Sequence, residues 1–138
     1  MKISTKGRYA LRMMIDVANH GKAGMVSVKD ISERQGVSVK YLEQIAATLV
    51  KSGLLRSGRG ANGGYMLSKS PDQYKAGDIL RVTEGKLAPI ACLEADVNPC
   101  ERQAACPTLS FWKGFHRVID HYVDSVTLRD FVVLDDNS

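Results

Sequence analysis

Cysteine is scarce in this 138-residue chain and confined to one place: Cys92, Cys100 and Cys106, with none elsewhere. An odd number argues against a closed disulfide framework. The spacing contains neither the Cys-x-x-Cys of thiol oxidoreductases nor the tight pairs of zinc ribbons. Histidine is just as rare, with three residues, none inside the cysteine segment. No base–nucleophile pair or cofactor loop is visible, so a non-enzyme is expected. No long apolar run is present, and the N-terminal MKISTKGRY has no apolar signal core. Neither a membrane span nor a secretory leader is therefore expected, and a cytoplasmic location with reduced thiols follows. The glycine-rich stretch at 58–64 lacks the Gly-Lys-Ser/Thr ending of a nucleotide-binding loop and opens no helix.

Charge is present, and it is lopsided. Residues 1–60 carry eleven Lys and Arg against four Asp and Glu, about +7, whereas residues 61–138 carry eight against eleven, about −3. A basic front half predicts a polyanionic partner for that half. Length and composition are those of one small globular unit.

The front half reads as a helix-turn-helix with a wing. Residues 8–20 place Leu11, Met14, Ile15, Val17 and Ala18 on one face at helical spacing, and Gly21 and Gly24 end that helix. Ser27 with Asp30 three residues later is a capping signal for a short helix to about Arg34. Gly36 allows a tight turn, and Ser38 caps the next helix. There Leu42, Ile45, Ala46 and Leu49 form the buried stripe and leave Lys40, Tyr41, Glu43, Gln44 and Thr48 on other faces. This is the layout of a DNA-reading helix-turn-helix. Residues 54–57 and 65–67 read as strands flanking the glycine-rich loop, a hairpin wing with Arg59 at its tip, suited to a minor groove. A winged helix that binds protein instead of DNA is the bland alternative.

In the back half, residues 75–82 predict a short helix and residues 86–106 a long loop with Pro89 and Pro99. Pro107 suits the first position of a long helix in which Trp112, Phe115, Val118, Ile119, Tyr122 and Val126 recur every three or four residues. That apolar face exceeds what a small domain covers by itself, so packing against a second copy is expected, in a two-fold dimer matching a palindromic site. The expected fold class is mainly α with a small β-hairpin. The expected organisation is a winged helix-turn-helix over 1–84, a cysteine loop over 85–106, and a dimerisation helix with a C-terminal segment over 107–138. Three thiolates on such a loop suit iron–sulfur, zinc or copper(I) ligation, with spare cysteines as the lesser alternative.

The stretches MKISTKGRYALRMMIDVA, SVKYLEQI, RSGRGANGGYMLSKSP and AGDILRVTEG, with the three-cysteine loop, resemble the bacterial winged-helix regulators of the IscR, NsrR and CymR kind. The resemblance runs from Met1 to about Val132 and is nearer the IscR branch. It implies a homodimeric transcription regulator, a repressor type, on a palindromic promoter site. It also implies an iron–sulfur cluster on Cys92, Cys100 and Cys106, [2Fe–2S] ahead of [4Fe–4S], and control of iron–sulfur cluster biogenesis genes. Glu43 and Gln44 would contact base edges, Lys40 and Tyr41 would be neighbouring contacts, and Arg59 would enter the minor groove. Ser38 and Gly60 complete that DNA-contacting set. Cluster assembly machinery or a sulfur-metabolism enzyme would be further partners.

Two positions depart from the pattern. The IscR histidine three residues after the last cysteine is Leu109 here, and the N-terminal aspartate of the nitric-oxide sensing branch is Arg8. A cluster normally takes four attachments. His116 and His121 lie ten and fifteen residues past Cys106, roughly 15–22 Å along a helix. Glu94, Asp96, Glu101, a partner group or an exogenous molecule are the remaining candidates. A clusterless regulator of cysteine metabolism, controlled by thiol oxidation or a partner enzyme, is the alternative; a nitric-oxide sensing repressor is another.

Overall fold

Helix α1, Thr5–His20, starts three residues before the apolar stripe requires, because Ser4 caps it. The Ser4 hydroxyl accepts from the Gly7 N–H at 3.1 Å. Ser4 in turn donates its own N–H and O–H to the two oxygens of Glu84, each at 2.6 Å. Partial burial pushes the Glu84 carboxyl up, but the Ser4 hydrogen bonds outweigh it and hold the group below the ordinary range. The structure, a computed structural model, describes residues 1–58, 63–95 and 97–132.

Helix α2, Val28–Gln35, is capped by the Ser27 hydroxyl, which accepts from the Asp30 N–H. Gly36 ends it at φ 66°, a left-handed conformation that a Cβ would strain. Helix α3, Val39–Lys51, is capped by Ser38, whose hydroxyl accepts from the Tyr41 N–H at 3.2 Å. Strands β1, Leu55–Ser57, and β2, Tyr65–Leu67, pair antiparallel in the register Leu55↔Leu67, Arg56↔Met66, Ser57↔Tyr65. Val26 adds a third short rung, exchanging both backbone hydrogen bonds with Tyr65 at 2.8 Å. Gly64 makes that approach possible: a Cβ there would meet the Val26 carbonyl oxygen at 2.3 Å. Buried Tyr74 closes the base of the hairpin, donating its hydroxyl to the Leu54 carbonyl and accepting from the Ser68 N–H, both at 2.8 Å.

Helix α4, Ala76–Glu84, starts one residue later and ends two residues later than expected, and helix α5, Leu109–Ser125, starts later. Pro107 is not its first residue; Thr108 occupies the N-cap and Pro107 lies in the turn before it. The segment between these helices carries two single 3₁₀ turns, Ala91–Leu93 and Gln103–Ala105.

Met13, Met14 and Val17 of α1, Ile31 of α2, Leu42, Ile45 and Leu49 of α3, Leu55 and Ile79 form the core. Leu128 joins them, fully buried. It arrives there because the chain after α5 returns to the front half: the Leu128 N–H donates to the Tyr74 carbonyl at 2.9 Å and the Ala76 N–H to the Val126 carbonyl at 2.8 Å. That return was not expected from the sequence.

Helix α5 is held to α4 by Arg81, which donates to Asp124 at 2.7 and 3.0 Å and to Asp120 at 2.9 Å. The Arg81 hydrogen bond holds the Asp124 carboxyl below its ordinary range. A carboxyl lowered by folding contributes stability that is full above its unfolded pKa and is lost as pH falls through the folded value. Stability should therefore decline below about pH 4. Arg81→Met should flatten that acid limb in paired urea titrations at several pH values. With both groups about a third exposed, the pair contributes on the order of 1 kcal/mol. Equal acid limbs in the two proteins would show the pair to be without energetic consequence.

Candidate nucleic-acid interface and cysteine segment

The α3 helix buries Leu42, Ile45, Ala46 and Leu49, which turns the opposite side to solvent. Lys40, Glu43 and Gln44 are exposed there, with Ser38 exposed at the start of the helix. Tyr41 is half-buried, its ring edge-on to Tyr9 of α1 at 5.9 Å. Lys40, Glu43 and Gln44 thus share one accessible side of α3, with Ser38 exposed at its start and Tyr41 tethered. Arg59 and Gly60, expected at the wing tip, lie outside the described residues.

Between α3 and the hairpin runs a cleft of about 300 Å³, lined by Ser27, Lys29, Glu43, Ser57, Gly58 and Gly64 among others. It places the N-terminal end of α2, with Lys29, beside Glu43 and the hairpin. Tyr65, also in the cleft, has its phenol pushed up, first by burial and then by the charge of Glu43.

All three cysteines are free and half-buried. Cys92 sits in the first 3₁₀ turn. The Cys100 N–H donates to the Asn98 side-chain oxygen at 2.8 Å, and Gln103 donates to the Asn98 carbonyl at 3.3 Å. The Asn98 side-chain nitrogen is buried with no partner among the described residues. The Cys106 sulfur lies 3.6 Å from the Thr108 hydroxyl, and that hydrogen bond, with others from the backbone at the start of α5, draws the thiol below its ordinary pKa.

Three free thiols, one shifted toward thiolate, and an unpartnered buried amide match an iron–sulfur group in donor chemistry. Their placement is not yet a ligand cage. Among the described residues no three His, Cys, Asp or Glu side chains gather closely enough to hold a metal ion. Leu109, at the expected histidine position, is the first residue of α5 and offers no donor. Glu94 and Glu101 are exposed, and Asp96 lies outside the described residues. His116 faces Asp120 at 3.4 Å, one turn along the same helix, and His121 is exposed further along it.

No residue of α5 is buried. Phe111, Phe115, Val118 and Tyr122 are 61, 45, 69 and 67% exposed and recur at four, three and four residues, one stripe of the helix. A shallow depression of about 810 Å³ runs along it. No helix among the described residues is long and apolar enough to cross a membrane.

Comparison with known proteins places this geometry in context. The family model described as Rrf2, iron-dependent transcriptional regulator, matches residues 3–133. The HTH-type transcriptional regulator IscR of Aliivibrio salmonicida is 37% identical over 133 residues, covering 96% of this chain and 78% of that protein. The solved structure of CymR, the global cysteine regulator of B. subtilis, superposes with a TM-score of 0.76 at 42% identity, covering 94% of this chain and 95% of that one. The solved structure of T. potens IscR gives 0.75 at 42% identity, covering 100% and 89%.

Proposed function

The chain belongs to the Rrf2 family of winged-helix transcriptional regulators, and on that basis we propose that it is a cytoplasmic homodimeric regulator whose DNA affinity is set by an iron–sulfur cluster on Cys92, Cys100 and Cys106. Iron–sulfur cluster biogenesis genes are the proposed targets. The observation that carries the reading is a junction. Cys106, the thiol drawn toward thiolate, stands three residues ahead of Leu109, where α5 begins. Holding that segment in a new way acts directly on the start of α5, and Arg81 passes the change to α4 and the DNA-reading body.

Each part of the chain then has a task. The lysines and arginines of the front half neutralise phosphates and set the register on the duplex. Gln44 pairs with an adenine edge, while Glu43 accepts from a cytosine amino group or repels a wrong base. Arg59 and Gly60 reach the minor groove. The apolar stripe of α5 packs on its copy, placing two recognition helices across a palindrome. The cluster, when bound, supplies sensitivity to iron, oxygen or redox state.

A duplex selected from random sequence by the wild-type protein provides the cognate site. Gln44→Ala should cost about 1–3 kcal/mol on it and relax preference at one base pair per half-site, with an unchanged salt slope. Uniform weakening on every sequence would instead make Gln44 a phosphate contact.

A second reading, supported by the likeness to CymR, the global cysteine regulator of B. subtilis, is a clusterless regulator that responds through its thiols or a partner enzyme. Ultraviolet–visible and Mössbauer spectra of protein purified without oxygen from iron-replete cells decide between them. Iron–sulfur bands support the cluster. Colourless, iron-free protein that cannot be reconstituted moves the signal to the thiols.

A further inference from the structure

Asp16 is the buried charged residue of the described chain, with a side chain 1% exposed. It stands on α1, outside the DNA-facing set, and nothing in the sequence pattern singles it out. Its carboxylate accepts three hydrogen bonds from the end of α2: Arg34 Nε at 2.9 Å, Arg34 Nη2 at 2.8 Å and Gln35 Nε2 at 2.9 Å. One turn earlier on α1, Arg12 donates Nε to the Gln35 side-chain oxygen at 3.0 Å and Nη2 to the Gln35 carbonyl. The Arg12 guanidinium also lies 5.0 Å from the centre of the Tyr9 ring, and Tyr9 meets Tyr41 of α3 edge-on. Tyr9, Arg12 and Asp16 thus form one stripe of α1. It grips the last residues of α2, immediately before Gly36, and the first turn of α3.

Apolar burial of Ile31, Leu42 and Ile45 is non-directional, so it holds α2 and α3 against α1 without fixing their rotation or axial position closely. Bidentate, charge-assisted hydrogen bonds are directional and do fix them. A buried carboxylate is a poor source of stability, since desolvation offsets most of the attraction, and in some proteins such a group serves conformational specificity instead. Resting on the DNA-binding reading above, we infer that Asp16 is a positioning residue for the recognition helix. It sets the pose of the turn between α2 and α3, and through that pose the discrimination between cognate and other duplexes.

The test compares wild-type, Asp16→Asn and Asp16→Met on two duplexes as a function of salt: the site selected by wild-type, and a scrambled duplex of equal length and composition. Met fills the site without a charge and leaves the partly exposed Arg34 free to hydrate, so it guards against simple loss of fold. Both variants, checked for wild-type circular dichroism and oligomeric state, should lose roughly 10-fold in affinity for the selected site. Affinity for the scrambled duplex, and its slope against log salt, should not move. An unchanged ratio between the two duplexes in a folded variant overturns the inference. So does an equal fall on both, which would mark Asp16 as merely structural. Wild-type protein that selects no sequence at all overturns the DNA-binding reading and the inference together; a discriminating wild-type with indifferent variants overturns the inference alone.

Discussion

Val118→Asp is expected to convert the proposed dimer into monomers. Val118 is 69% exposed in the single chain and sits in the middle of the Phe111–Tyr122 stripe, so the substitution costs the isolated fold almost nothing. Across a two-fold interface it would bury two carboxylates without partners, and the apolar contact of both copies would be lost. A weakening of at least about 3 kcal/mol, more than a hundredfold in the dimer constant, follows. Sedimentation equilibrium across a concentration series reads it directly. Affinity for a palindromic site should fall in step, because the second half-site no longer binds as part of the same molecule. A Val118→Asp protein that stays dimeric with wild-type affinity would place the interface elsewhere and leave the exposed stripe unexplained.

Cys100→Ala is expected to abolish visible absorbance and bound iron while leaving the fold and the oligomer intact. With Leu109 where a fourth donor was expected, the chain brings three thiols to a group that normally takes four attachments. Removing one leaves two, too few to retain it. The fold should tolerate the change because Cys100 is half-buried and the hydrogen bond to the Asn98 side chain runs through its backbone N–H, which alanine keeps. Circular dichroism and iron analysis on the same sample separate the two outcomes. Full colour in the variant would show the ligand set to be wrong. If the wild-type protein itself is colourless, the comparison that matters becomes its DNA affinity before and after mild thiol oxidation.

The helices of the front half were legible because their determinants are close together in the chain. The Ser38 cap acts on Tyr41 three residues away, the α3 stripe recurs every three or four residues, and Gly36 supplies its own turn. The polar side of α3, with Lys40, Glu43 and Gln44, follows from the same period. Helix ends were less legible. α1 begins at Thr5 because Ser4 is held by Glu84, eighty residues away, and α5 begins after Pro107 because Thr108 takes the cap.

By itself, the sequence determined the winged-helix class, the accessible face of α3, the confinement of the thiols to one segment, and an apolar stripe on the last helix. All of these are written in spacings of a few residues. Only the tertiary structure decided that Asp16 grips Arg34 and Gln35, that Val26 pairs with Tyr65, that Leu128 returns to the core, and that the three cysteines are not gathered as a metal cage. Those contacts join residues distant along the chain. Packing selects them, and a carboxylate on a helix carries no local mark of the arginine it will meet.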